Sequence, residues 1–297
     1  MILLYPAHMD ISLIAIPYSN DVARWGAANG PQAFIAAGLP QTLNAHGHVV
    51  QHTTWIELPR EKRTRDSVVN LGYLAARTSD AVFGAIKQGL FPLVLEGNCT
   101  HCVGPAGGVA RGFGSAGIVW YDAHGDMHTM QTTSTGLLGG MPFGVCMGWE
   151  FDDWRERAGL HTPIATNACA LIGASDLDPE EENALNTHPI ARLDAKEMMH
   201  DAGDRTSALL KPRAANAEGW YLHFDMDVAG TDEVPGGLTP APHWPPRAEL
   251  LASVAATARS VPMRCFGLAA YDPGGDPGHK GAQLGIEVVC AGLDAVA

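Results

Sequence analysis

The sequence predicts an α/β fold in which helices cover a largely parallel sheet. Three features point to it: short apolar runs without polar alternation, longer amphipathic stretches between them, and a composition rich enough to bury a large core. The runs are Ile11–Ile16, Phe91–Leu95, Gly117–Tyr121, Ala168–Ile172, Tyr221–Phe224 and Cys265–Ala269. A strand covered on both faces loses the in/out alternation of a half-exposed one, so such runs read as buried parallel strands. Their repetition between helical stretches is the signature of an α/β sheet. The chain has 297 residues, 46% of them hydrophobic. A domain of that size buries about 75% of its unfolded-chain surface.

The helices follow from their end signals. Pro31–Ala37 begins with a proline in the first turn and is closed by Gly38. Asp66–Gln88 reads as one long helix capped by Asp66 or Ser67. No internal repeat, low-complexity tract or linker-like composition shift divides the chain, so residues 1–297 are expected to form one domain.

Charge and composition exclude several classes. There are 19 basic and 32 acidic side chains, a formal charge of −13. The basic residues form no patch beyond a solvated stretch at 60–65, so nucleic acid is not an expected partner. No apolar run reaches 18 residues, and apolar Met1–Leu4 is followed by neither a charged region nor a cleavage site. A membrane span and a secretory leader are therefore not expected. The six cysteines, at 99, 102, 146, 169, 265 and 290, are irregularly spaced in a large chain, which argues against a disulfide framework. Cys99-Thr-His-Cys102 is a C-x-x-C, a weak signal without a second pair. The expected location is the reducing cytoplasm.

Open α/β sheets place their chemistry beyond the carboxyl ends of the strands. Behind Gly117–Tyr121 stands Asp122-Ala-His124-Gly-Asp126, and behind Tyr221–Phe224 stands Asp225-Met-Asp227. Residues two apart in an extended chain point the same way. Four carboxylates and an imidazole gathered at strand ends repel one another and lose hydration unless a counter-charge is present. Divalent cations supply it, and oxygen donors with imidazole suit Mn²⁺. Either motif alone is more often a capping or loop feature; the two together, each behind an apolar run, make a two-metal site the better reading.

The stretches Val119-Trp-Tyr-Asp-Ala-His-Gly-Asp126 and His223-Phe-Asp-Met-Asp227, followed by Pro235-Gly-Gly-Leu-Thr239, resemble the ureohydrolases: arginase, agmatinase, guanidinobutyrase and formimidoylglutamase. Gly30-Pro31, Ala36–Leu39 and Ile172-Gly173 leading into Asp176-Leu-Asp178 add weaker matches in the same order. The resemblance implies a three-layer sandwich around a mostly parallel eight-stranded sheet, assembled as trimers or hexamers. It also implies two Mn²⁺ ions per chain held by Asp122, His124, Asp126, Asp225 and Asp227, with Asp122 and Asp225 bridging. A hydroxide touching Asp126 would then attack the planar carbon of a small guanidino or amidino substrate. Asp178 matches the carboxylate that faces the substrate's α-amino group, although it reads equally well as a helix N-cap before Pro179.

Three departures bear on that picture. The family's first ligand is a histidine in a Gly-Gly-Asp-His-Ser element; here the element is Glu96-Gly-Asn-Cys-Thr100, with Cys99 at the ligand position. Cys99 could ligate as a thiolate and favour another, softer divalent ion on its side, could stand by unbound, or could yield to His101. Gly139 replaces a proton-shuttling histidine, and His128 and Thr135 fall where arginase contacts the substrate carboxylate. His128 is thus a candidate for substrate contact and, with Asp126, for catalysis. Ala270 stands where a glutamate holds the guanidinium, leaving Asp272 or Asp276 as substitutes. A hydroxyguanidine of the N-hydroxyarginine type would need that glutamate less, and a cysteine in place of the ligand histidine resembles the N-hydroxyarginine hydrolases. Two other classes remain: a zinc deacetylase-like amidohydrolase with one ion, and a degenerate relative without turnover.

Overall fold

Eight strands build the main sheet. They are β1 (Asp10–Ile16), β4 (Val49–Trp55), β5 (Phe91–Glu96), β6 (Ala116–Tyr121), β7 (Cys169–Ala174), β8 (Ala191–Asp194), β9 (Gly219–Asp225) and β10 (Met263–Ala269); β2 (Tyr18–Ser19) and β3 (Val22–Ala23) form a small antiparallel ladder. The order is β4-β1-β5-β10-β9-β6-β7-β8, and every neighbouring pair in it is parallel. The computed structural model describes residues 8–235, 239 and 241–296; Met1–Leu4 and the Gly236–Leu238 part of the segment after Asp227 lie outside the described residues.

The helices are α1 (Gly30–Ala36), α2 (Leu39–Ala45), α3 (Ser67–Lys87), α4 (Val103–Phe113), α5 (Pro142–Cys146), α6 (Asp152–Arg157), α7 (Pro179–Thr187), α8 (Ala202–Leu210), α9 (Arg247–Ser260) and α10 (Lys280–Leu293). α3 packs on α4 and α6, while α8, α9, α10 and α1 form a second connected group, and the sheet lies between these layers. β5, β6, β7, β9 and β10 are buried along their whole length, which explains their unbroken apolar runs.

All six expected strands are present; five are extended by one to three residues, and the expected Ala168–Ile172 is shifted to Cys169–Ala174, because Ala168 closes a short 3-10 turn. The two that periodicity does not announce are the edges. β4 carries Gln51, His52, Thr53 and Thr54 and stays largely exposed, and β8 has only four residues. Asp66, rather than Ser67, caps α3: its carboxylate accepts from the backbone N–H groups of Val68 and Val69. The six cysteines are free thiols, all buried. Among the described residues no helix is long and apolar enough to cross a membrane.

Two close approaches fix the backbone around the site. A Cβ on Gly97 would collide with the carbonyl of Tyr18, so only glycine lets the turn after β5 press against the β2 region. Asp126 adopts φ 49°, a left-handed conformation, two residues after His124 in the loop that follows β6.

Candidate metal centre and active site

The five central strands, β5, β10, β9, β6 and β7, deliver their carboxyl ends side by side. The residues that follow them line one cavity of about 390 Å³, among them Cys99, Asp122, His124, Asp126, His128, Thr135, Asp178, Asp225 and Asp227. Side chains read as a site from sequence thus converge, although they come from loops more than a hundred residues apart.

At the floor are two sets of donors. One ligand atom from each of Cys99, Asp122, His223 and Asp225 lies within 4.8 Å of the others, and the same holds for Asp122, His124 and Asp227. Asp122 belongs to both. Asp126 lines the cavity but belongs to neither set.

Hydrogen bonds hold these groups in place. Asp122 accepts from the Trp120 indole Nε1 at 2.9 Å and from the His124 backbone at 2.8 Å. His124 Nδ1 lies 3.2 Å from both Asp122 Oδ1 and Asp227 Oδ2. Asp225 accepts from the Asp227 backbone at 2.7 Å and from the Cys99 thiol at 2.6 Å. Thr239 Oγ1 donates to Asp227 at 2.7 Å.

The electrostatics show what the carboxylates lack. Burial, then Asp227, pushes Asp122 up to about 6. Burial, then neighbouring aspartates, also raises Asp126 and Asp225. Burial opposes a charge on His124, but Asp122 and Asp227 outweigh it and drive its pKa up to about 12. Asp227 goes the other way: its burial is outweighed by His124, and its carboxyl stays below the usual range. Burial, then Asp225, raises the Cys99 thiol. The site as a whole resists its own negative charge.

Around this floor, His128 Nε2 lies 3.0 Å from Asp178 Oδ2, and its Nδ1 is 3.2 Å from Thr132 Oγ1. Asp178 occupies the N-cap position of α7 while its carboxylate holds His128, so the cap and the site readings of this residue coexist. Thr135 sits on the exposed rim. Gly139 and Ala270 both line the cavity and bring no functional group to it. Asp272 and Asp276 do not substitute for the missing glutamate: neither lines the cavity. Asp272 accepts from Gly274 N–H, and buried Asp276 from Tyr271 and the first turn of α10.

His101 turns away from the site. It is buried, and its Nε2 lies 2.8 Å from the Tyr18 carbonyl. Burial lowers its pKa to about 4 against the opposing Tyr18 bond. A depressed histidine costs stability as pH falls, because the unfolded chain takes up a proton near pH 6.5 that the folded chain refuses until about 4. In metal-free protein, wild type should therefore lose roughly 2–3 kcal/mol relative to His101→Gln between pH 7.5 and 4.5. Parallel chemical-unfolding curves test this; a difference that stays constant with pH would refute it.

Sequence reasoning missed several contributors. His223 appears in the sequence only as part of a motif, although His223-x-Asp225-x-Asp227 has the same two-residue spacing as Asp122-x-His124-x-Asp126. Glu181 is buried, accepts from Met127 N–H, and lies 3.8 Å from His128 Nε2; as one of four acidic or amide residues opening α7, it carries no local signal. Asn20 and Asn98 pair across the rim, 78 residues apart.

A divalent cation fits these donors. It would relieve the raised carboxyls and give a partner to His223 Nε2, a buried atom with no hydrogen bond. The fold and the site together define an α/β protein with a carboxylate-rich cavity, able to hold metal, at the ends of its central strands. The chain belongs to the arginase family, whose profile matches residues 9–293. It is 30% identical over 242 residues to an arginase of Bacillus subtilis (strain 168), covering 77% of this chain and 79% of that one. An arginase of Bacillus caldovelox is 29% identical over 245 residues, covering 77% and 80%. The crystal structure of arginase from Bacillus subtilis superposes with a TM-score of 0.84 at 24% identity, over 96% of this chain and 98% of that one. Proclavaminate amidino hydrolase from Streptomyces clavuligerus superposes with a TM-score of 0.75 at 22% identity, over 99% and 93%. These two likenesses confirm the three-layer fold with its eight-stranded sheet.

Proposed function

We propose that the chain is a metal-dependent hydrolase that cleaves a C–N bond in a small guanidine- or amidine-like molecule. The observation that carries this reading is the pair of donor sets sharing Asp122 on the floor of one acidic cavity. Cys99, Asp122 and Asp225 would hold one cation, and Asp122, His124 and Asp227 the other, with Asp126 as a further ligand. Oxygen and imidazole donors at the second position suit manganese, while the Cys99 thiolate favours a softer divalent ion at the first. When bound, such a pair of cations activates water as a nucleophile near neutral pH.

The chain's own groups handle the protons and the substrate. Asp126 stands beside both donor sets and accepts the proton of the attacking water. His128, held by Asp178 and Thr132, delivers a proton to the departing amine. Asp178 and Thr135 bind the polar tail of the substrate at the rim. The cavity volume lies in the range of small-molecule sites. The acidic lining attracts a cationic or polar planar head.

Ala270 and Cys99 favour one narrower reading, a hydroxyguanidine of the N-hydroxyarginine type. No carboxylate from the end of β10 enters the cavity to fork with a charged guanidinium. The test is release of urea, hydroxyurea, ammonia or formamide from arginine, agmatine, guanidinobutyrate, formiminoglutamate and N-hydroxyarginine with added Mn²⁺. Turnover of at least one is expected, with N-hydroxyarginine at least about 10-fold ahead of arginine in kcat/KM, a gain of about 1.4 kcal/mol. Absence of turnover on the whole panel with metal bound would refute the hydrolase reading, and one zinc per chain with deacetylation would replace it. The same reading makes the chain one cytoplasmic domain over 1–297 that assembles as a homotrimer or hexamer, which light scattering checks.

A further inference from the structure

Glu96 is a fully buried carboxylate at the end of an otherwise apolar strand. Burying such a charge is costly unless something uses it. Tyr221 Oη donates to Glu96 Oε1 at 2.6 Å, and the Tyr221 oxygen itself lies 3.0 Å from His223 Nδ1. His223 Nδ1 is also 3.4 Å from Glu96 Oε2. β10 lies between the strands that carry these residues, and the network passes over Gly267, where a Cβ would collide with the Tyr221 hydroxyl and crowd Glu96 Oε1.

The proton count fixes the tautomer. The Tyr221 hydroxyl gives its one proton to Glu96, so Nδ1 of His223 must carry the proton that faces the tyrosine oxygen and Glu96 Oε2. Nε2 then presents a lone pair. Trp120 stacks on the imidazole with ring centroids 3.9 Å apart, and Phe143 stacks on Trp120, which holds the ring plane. The ring is fully buried, Nε2 has no partner, and His223 belongs to the donor set with Cys99, Asp122 and Asp225. A metal-bound histidine characteristically donates its other N–H to a carboxylate or its relay, and this is the arrangement here.

We propose that His223 is a ligand of the first cation, oriented by Glu96 and Tyr221, so that this position offers one thiolate, one imidazole and two carboxylates. The proposal rests on the two-cation reading above and deepens it. The donors of this position are softer than those at Asp122, His124 and Asp227. The first position therefore prefers zinc or cobalt, and the second manganese. The two positions are chemically distinct, and the chain is built for a mixed-metal pair.

The test uses full-length protein stripped by chelation and titrated with Co²⁺, read by absorption. Wild type should show a thiolate-to-cobalt charge-transfer band with the first equivalent. His124→Gln should keep that band. His223→Gln should weaken binding of the thiolate-bound ion by more than 100-fold. Glu96→Gln, which leaves the ligands in place, should weaken it by about 10–100-fold. In cobalt-loaded wild-type crystals, anomalous scattering should place an ion about 2.0–2.1 Å from His223 Nε2. Folded His223→Gln with wild-type affinity and band, or an ion out of reach of Nε2, would overturn this proposal while leaving the two-cation reading intact. A wild type that binds no cobalt would sink both.

Discussion

Asp122→Asn should abolish turnover and, in the metal-free protein, raise stability. The two effects have one origin. Asp122 is common to both donor sets, so its neutral replacement removes charge from each position. Loss of a partner outside the ligand sphere costs 10–100-fold in metal affinity or activity, and loss of a shared ligand costs more, so kcat/KM should fall by at least roughly 10³-fold. Without metal, the same carboxylate is a liability: burial and Asp227 push its pKa up to about 6 from 3.8. A carboxyl raised in the folded state disfavours folding above its folded pKa and ceases to do so below its unfolded pKa. The metal-free variant should therefore exceed metal-free wild type by about 3 kcal/mol at pH 8, with the advantage fading between pH 6 and 4. Urea unfolding with chelator present measures it. A metal-free variant less stable than wild type at pH 8 would show that the cluster is not held against its own repulsion.

Chelation should produce the second large effect. Each ion that binds only the folded chain adds about 4 kcal/mol when free metal exceeds its Kd a thousandfold. Two such ions add about 8 kcal/mol, and a chain of this size shifts by about 2 °C per kcal/mol, so removal should lower Tm by about 10–20 °C. Readdition of metal should restore it, and Asp122→Asn should show little of the shift. Melting that is indifferent to chelator in wild type would mean that these donors do not hold ions in the folded state.

The sequence made the interior of the sheet legible because strands buried on both faces must be apolar throughout. It hid β4, whose polar residues face solvent at the edge, and β8, too short to show a period. Asp122, His124, Asp126, Asp225 and Asp227 were legible because two-residue spacing behind an apolar run is a local signal. The setting of His223 was not. Tyr221 and Glu96 are 125 residues apart, and their meeting depends on β10 lying between β5 and β9 with a glycine at the crossing. The fate of His101 was equally illegible, because what removes it from the site is a backbone carbonyl 83 residues away. Chemistry carried by one segment can be read from sequence; a tautomer set by three strands cannot.

The most direct measurement is the number of divalent ions retained per chain after equilibrium dialysis, determined by elemental mass spectrometry on wild type and on Asp122→Asn. Two ions on wild type and a loss from both positions on the variant are predicted. A wild-type chain that stays empty at saturating manganese and zinc would contradict the account at its root.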